Sequence, residues 1–182
     1  MIVKFCRAIV SAVIVVPFLT VSALATVINV TPDDLSWAAG DANSFISGNF
    51  ARSGNGSLEL HGDRTRFFGL GNPFSLDSDI GLFNSLSGFG FDWAVSSASQ
   101  SLLHPDYTPA LRLHIWDNGQ RSELIWEGAY NGAYGTTGKD TWYTTGSNDH
   151  FYQWVAGIGV TEIYDRTLAD WQGLYSDSAY IS

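Results

Sequence analysis

Asn118-Gly119, set between two runs that alternate apolar with polar residues, constrains this chain more than any other feature. A two-residue type I′ turn needs positive φ at both central positions, and Asn-Gly tolerates that best. Closing the chain there puts Trp116 opposite Arg121, Ile115 opposite Ser122, His114 opposite Glu123 and Leu113 opposite Leu124. Leu111 then meets Trp126. One face collects Leu111, Leu113, Ile115, Leu124 and Trp126; the other collects Arg112, His114, Trp116, Arg121, Glu123 and Glu127. A slip of one residue would mix the two sets, so burial specifies the register as firmly as the turn does.

The same period of two recurs along the chain. It marks strands over 57–62, 89–95, 110–116, 123–128, 141–145 and 151–158, and a last one near 178–181, with Gly, Asn, Asp and Ser clusters between them. In the first, Leu58 and Leu60 alternate with Ser57, Glu59 and His61. No window of a dozen residues keeps a 3.6-residue period; 76–86 and 168–174 each hold a helical turn or two at most. Short strands separated by turn signals predict an all-β fold, an antiparallel β-sandwich of jelly-roll type, over residues 57–182. Residues 26–56 read as a polar segment with few strand signals, whose Trp37 and Phe45 pack on the sandwich edge. The Gly- and Thr-rich stretch 130–140 reads as a long loop.

Residues 1–25 have the layout of an export signal. Lys4 and Arg7 precede an apolar run at 8–16, and Ala23-Leu24-Ala25 supplies small residues where a signal peptidase cuts. Ser11, Pro17, Thr20, Ser22 and Asn29 make the stretch a poor membrane anchor, and Cys6 lies on the wrong side of the apolar run for a lipoprotein. Cleavage after Ala25 would leave 157 of the 182 residues and take the formal charge from −9 to −11 by removing two basic residues. Such a surface repels phosphate backbones and anionic lipid heads, so neither nucleic acid nor membrane contact is expected of the mature domain. The only cysteine would leave with the leader, and with it any disulfide, thiol catalyst or Cys-ligated zinc.

Catalytic chemistry finds little support. Glycoside hydrolysis needs two carboxyl groups about 5–10 Å apart, whereas Glu123 and Glu127, four residues apart on one strand, are separated by about 13 Å. A Glu-x-Asp-x-x-Glu arrangement is absent, and Glu162 with Asp165 follows no such pattern. No Gly-x-Ser-x-Gly elbow occurs, and His61, His104, His114 and His150 stand outside any triad context, each expected at the surface. Asp77-Ser78-Asp79 and Ser147-Asn148-Asp149 cluster oxygens without calcium-loop spacing, so both read as solvated turns; no cofactor is implied.

The candidate binding residues are therefore Arg112, His114, Trp116, Arg121 and Glu123, on the polar face of the hairpin. A flat aromatic ring among donors and acceptors is what a carbohydrate-binding sheet requires. The same residues also make cross-strand pairs, Arg121 on Trp116 and His114 with Glu123, that stabilise a sheet by about 0.2–1 kcal/mol each. The expected function is a non-catalytic matrix or surface component that binds extracellular polysaccharide. The alternative is a polysaccharide-active enzyme whose carboxylates come from distant strands.

The order Ser-Gly-Phe-Gly-Phe-Asp-Trp (87–93), Leu-Arg-Leu-His-Ile-Trp (111–116), Leu-Ile-Trp-Glu-Gly-Ala-Tyr-Asn (124–131), Thr-Trp (141–142) and Leu-Ala-Asp-Trp (168–171) resembles exported bacterial proteins of the PEP-CTERM class. The resemblance covers about residues 57–182. It implies a concanavalin-A-like or laminin-G-like jelly roll outside the cell or on its envelope. The Pro-Glu-Pro sorting tail of that class is missing from this sequence, which stops at Ser182 as though inside a strand.

Overall fold

The computed structural model describes residues 43–61, 72, 74–99, 108–133, 135–161 and 164–182. The leader, Trp37, His104 and Glu162 lie outside the described residues. Eleven strands run in chain order: β1 (Ser44–Ser47), β2 (Ser57–Leu60), β3 (Gly81–Leu82), β4 (Asp92–Trp93), β5 (Leu111–Asp117) and β6 (Gln120–Trp126). Then come β7 (Tyr143–Thr144), β8 (His150–Val155), β9 (Gly159–Val160), β10 (Arg166–Thr167) and β11 (Tyr180–Ile181). One short helix, α1 (Leu168–Gln172), and 3-10 turns at Phe83–Ser85 and Gly128–Tyr130 complete the described elements. The fold is all-β. No helix among the described residues is long and apolar enough to cross a membrane.

The main sheet has seven strands in the order β10-β8-β6-β5-β11-β3, with β9 also paired to β8, and every pairing is antiparallel. Its centre is the hairpin read from Asn118-Gly119. Both turn residues have positive φ, 50° and 78°, and the register is the expected one from Leu111↔Trp126 to Trp116↔Arg121. The apolar face is buried as expected: Leu113, Ile115, Leu124 and Trp126 are each 6% exposed or less.

That inner face carries the core. Phe91 meets Trp126 edge-on at 5.1 Å, and Trp93 lies against it at 5.8 Å. Both come from the β4 region, which forms a separate two-stranded sheet with β7. The alternation at 89–95 predicts a longer strand than the two residues that pair. Thr145 accounts for the difference: its hydroxyl, rather than a backbone carbonyl, accepts the Phe91 N–H at 2.8 Å. The same hydroxyl lies only 2.3 Å from where a Cβ on Gly90 would stand, so the close approach requires glycine there. At the other end of the core, α1 opens with a capping box between Thr167 and Asp170. It aims Trp171 inward, where the indole N–H donates to the Phe151 carbonyl at 2.8 Å. Gln172 donates to the carbonyls of Phe83 and Leu86 and so ties the 3-10 turn to the helix.

The third sheet, β1 with β2, contains two departures from expectation. β1 falls in the segment read as having few strand signals. Leu58 and Leu60 do alternate with polar residues, but they point outward, 38% and 37% exposed. Their polar neighbours are held by bonds the alternation cannot show. Ser57 donates to the Phe50 carbonyl, and Glu59 accepts from Ser47 and Asn49 and contacts His61. Phe50 stacks on Trp142, and Arg52 pairs with Asp92, which joins this sheet to β4 and β7.

Candidate functional site

On the outer face of the hairpin the five predicted residues come together, arranged around Glu123. Arg121 and Arg112 donate to its two oxygens at 2.7 and 2.8 Å, and the carboxylate side chain is only 8% exposed. Burial works to raise the Glu123 pKa. The Arg121 hydrogen bond and the Arg112 contacts outweigh it, so the group sits below its ordinary value. His114 is 3.7 Å from the same carboxylate, yet desolvation holds its pKa below the usual imidazole value. Arg121 lies 3.3 Å from its Nδ1, and a guanidinium can only donate. Nδ1 therefore accepts, and the ring is neutral.

Two expectations are corrected here. His114 is largely buried rather than at the surface, with a side chain 12% exposed. The Arg121 guanidinium does not stack on Trp116; it lies between Phe74 and Trp154, 5.1 Å from each ring centroid. Phe74 reaches it from a remote segment and Trp154 from β8, where Glu123 pairs with Trp154. Trp116 is partly exposed, as expected, but its indole N–H is sealed from solvent without a partner among the described residues. The outer face is also less polar than the pattern suggested, because Ile125 sits on it fully buried. Of the five residues, Arg112 is the one that reaches solvent substantially, its side chain half exposed.

Next to Arg112 lies a group of tyrosines that the sequence reasoning did not single out. Tyr152 pairs across the sheet with Ile125, itself opposite Arg112, and donates to Glu127 at 2.6 Å. Burial, then the Glu127 hydrogen bond and charge, push its phenol well above the ordinary value, so it remains a donor. Tyr130 and Tyr164 stack on each other at 4.7 Å, with Tyr152 packed against both. Tyr130 is 43% exposed and Tyr164 37%. Their proximity could not be read from the sequence, since they come from the 3-10 turn after β6 and the approach to β10.

A second region lies on the inner side, beneath the loop at 130–140. There a cleft of ≈ 210 Å³ opens over Trp93, Trp126 and Tyr143, with Thr137, Thr144 and Asp149 among its walls. Asp149 accepts the Trp126 indole N–H at 2.7 Å, so the Ser147-Asn148-Asp149 turn caps a core side chain and is more than a solvated loop. No group of three or more His, Cys, Asp or Glu gathers among the described residues.

No family model matches the chain, and no curated protein or solved structure matches it significantly. The hairpin cluster pairs its charges internally, whereas the exposed tyrosines and the cleft present surface to an incoming molecule.

Proposed function

We propose that this is a secreted or envelope-associated, non-catalytic β-sandwich protein that binds extracellular polysaccharide as a matrix or surface component. The observation that carries the reading is the exposed Tyr130–Tyr164 pair flanked by Arg112 and Glu127. Aromatic rings supply the apolar contact on which a sugar face stacks, while a few charged groups orient its hydroxyls. His114, Arg121 and Glu123 serve this surface from below by holding Arg112 in place, and Trp116 extends it at the far end of the hairpin. The acidic balance of the chain favours neutral over anionic polymers. Export through the leader and membership of the PEP-CTERM class belong to the same reading. So does a jelly-roll arrangement, which is supported by a large antiparallel sheet facing a smaller one across an aromatic core.

Electrophoresis through gels cast with neutral glucans or galactans tests it. The secreted protein is expected to be retarded, with Tyr130→Ala/Tyr164→Ala removing the shift and Trp116→Ala weakening it, while circular dichroism stays unchanged. A folded protein that migrates freely through every polysaccharide would refute the reading. Mass spectrometry of the exported form should find Thr26 as its first residue.

A further inference from the structure

We infer that the cleft over Trp93, Trp126 and Tyr143 binds one neutral sugar residue, which it recognises by accepting hydrogen bonds from the sugar's hydroxyls. This rests on the polysaccharide-binding reading and deepens it. The outer tyrosines would hold the polymer, and the cleft would select a single residue of it.

Trp93 and Tyr143 are stacked at 4.8 Å and 22°, and Trp126 leans on Trp93. The two tryptophans are buried in the core, 5% and 2% exposed, so they brace the cleft from behind, and the half-buried Tyr143 is the ring that reaches it. The size comes next. At ≈ 210 Å³ the cleft falls below the roughly 300–1,000 Å³ typical of pockets for larger ligands, which suits one ring and not several.

The hydrogen-bonding valence of the walls then decides the ligand's chemistry. Thr136 and Thr137 spend their hydroxyl protons on the carbonyls of Gly132 and Ala133. Thr144 donates to Asp92. Asn131 directs its amide protons to the carbonyls of Glu127 and His150 and accepts the His150 N–H. Each of these donors is used within the protein, so the hydroxyls present lone pairs to the cleft. Asp149 adds an acceptor: Oδ2 is taken by Trp126, and Oδ1 remains to accept. Tyr143 receives the Gly138 N–H at 2.7 Å, which leaves its own proton as a donor near the mouth. A lining rich in acceptors needs a ligand rich in donors. A carboxylated or sulfated sugar would bring more acceptors and a negative charge toward Asp149; a neutral hexopyranose brings hydroxyl donors on its edges and an apolar C–H face for the Tyr143 ring.

The test is calorimetric titration of the intact secreted protein with D-glucose, D-galactose and D-mannose, and with D-glucuronate as the charged control. At least one neutral hexose should bind, and glucuronate should bind more weakly than any hexose that does. Asp149→Asn keeps an oxygen for Trp126 but turns an amide donor into the cleft, and should weaken binding about tenfold. Thr136→Phe, at an exposed position on the rim, should abolish it; thermal melting establishes that both variants are folded. Equal affinity in all three proteins overturns the cleft as the site and leaves the polysaccharide reading standing. Retardation by polysaccharide gels without any hexose binding has the same meaning. Failure in both assays overturns both readings.

Discussion

The two faces of the main sheet each gather polar groups beside aromatic rings and use them in opposite ways. On the outer face of the hairpin, Arg112, Arg121, His114 and Glu123 satisfy one another, and Phe74 and Trp154 close over Arg121. Around the inner cleft the donors of Asn131, Thr136 and Thr137 are committed to backbone carbonyls and that of Thr144 to Asp92, which leaves acceptors for a ligand. A polar cluster is available to a ligand according to its spare valence, not according to how many polar groups it contains. The hairpin cluster has little to spare beyond Arg112, and the cleft has several acceptors.

The largest effect that would break this comparison is expected at Glu123. Glu123→Ala leaves Arg121 desolvated between two aromatic rings without its counter-ion, and should cost about 3–5 kcal/mol in urea unfolding. A loss under 1 kcal/mol would mean that the cluster is solvated and open to ligands after all. Asp149→Leu should cost about 1–3 kcal/mol, because it strands the buried Trp126 N–H. Asp149→Asn should recover most of that stability while still impairing sugar binding, which separates the structural role of this carboxylate from its recognition role. Gly119→Ala, at φ 78°, should cost about 1–2 kcal/mol by placing a Cβ in the left-handed region.

The smallest effect is in the pH dependence. His114 keeps a depressed pKa in the fold, so below its ordinary value of 6.5 the unfolded chain takes up a proton that the folded chain refuses. Stability therefore falls as pH drops from about 6.5 and stops falling from this source once pH passes the depressed folded value. Glu123 is also depressed, from 4.5, so its contribution is complete above that pH and is lost as pH falls through the folded value. Both slopes have the same sign. Replacing His114 by Gln should flatten the limb that begins just below pH 6.5 in a series of urea titrations and leave the more acidic limb in place.

What the sequence discloses here is local. The β5–β6 register follows from two turn residues and an alternating pattern within sixteen positions, and every expected pair is present. The partners of those residues are remote, and pattern says nothing about them. Arg121 leaves Trp116 for Phe74 because Phe74 and Trp154 offer it two faces where Trp116 would offer one. Ser122 falls on the core face, where a serine looks like an error until Tyr175 is seen bonding to it at 2.7 Å and accepting from Gln153 as well. Alternation also fails to tell inside from outside. Leu58 and Leu60 follow the same rule as Leu111 and Leu113, yet their strand has no layer to cover them among the described residues, whereas β5 lies beneath Trp93 and Trp171. The cleft was hidden for a related reason: its floor comes from β4, β6 and β7, its rim from the loop at 130–140 and its Asp149 from the turn before β8, and no local pattern brings these segments together.

β11 occupies a place in the sheet with a consequence for the order of assembly. Tyr180 and Ile181 are wedged between β5 and β3, bonded to Trp116 and Ile115 on one side and to Leu82 and Gly81 on the other. β3 therefore has no direct route to the sheet's centre. It can join only after a strand about a hundred residues further along has arrived, and closing so long a loop is slow. The hairpin can zip up by itself within a short stretch of chain, while one edge of the sheet waits for β11. A protease cut between α1 and β11 would consequently release two strands rather than one, and the strand lost from the far side would be one whose own sequence was never touched.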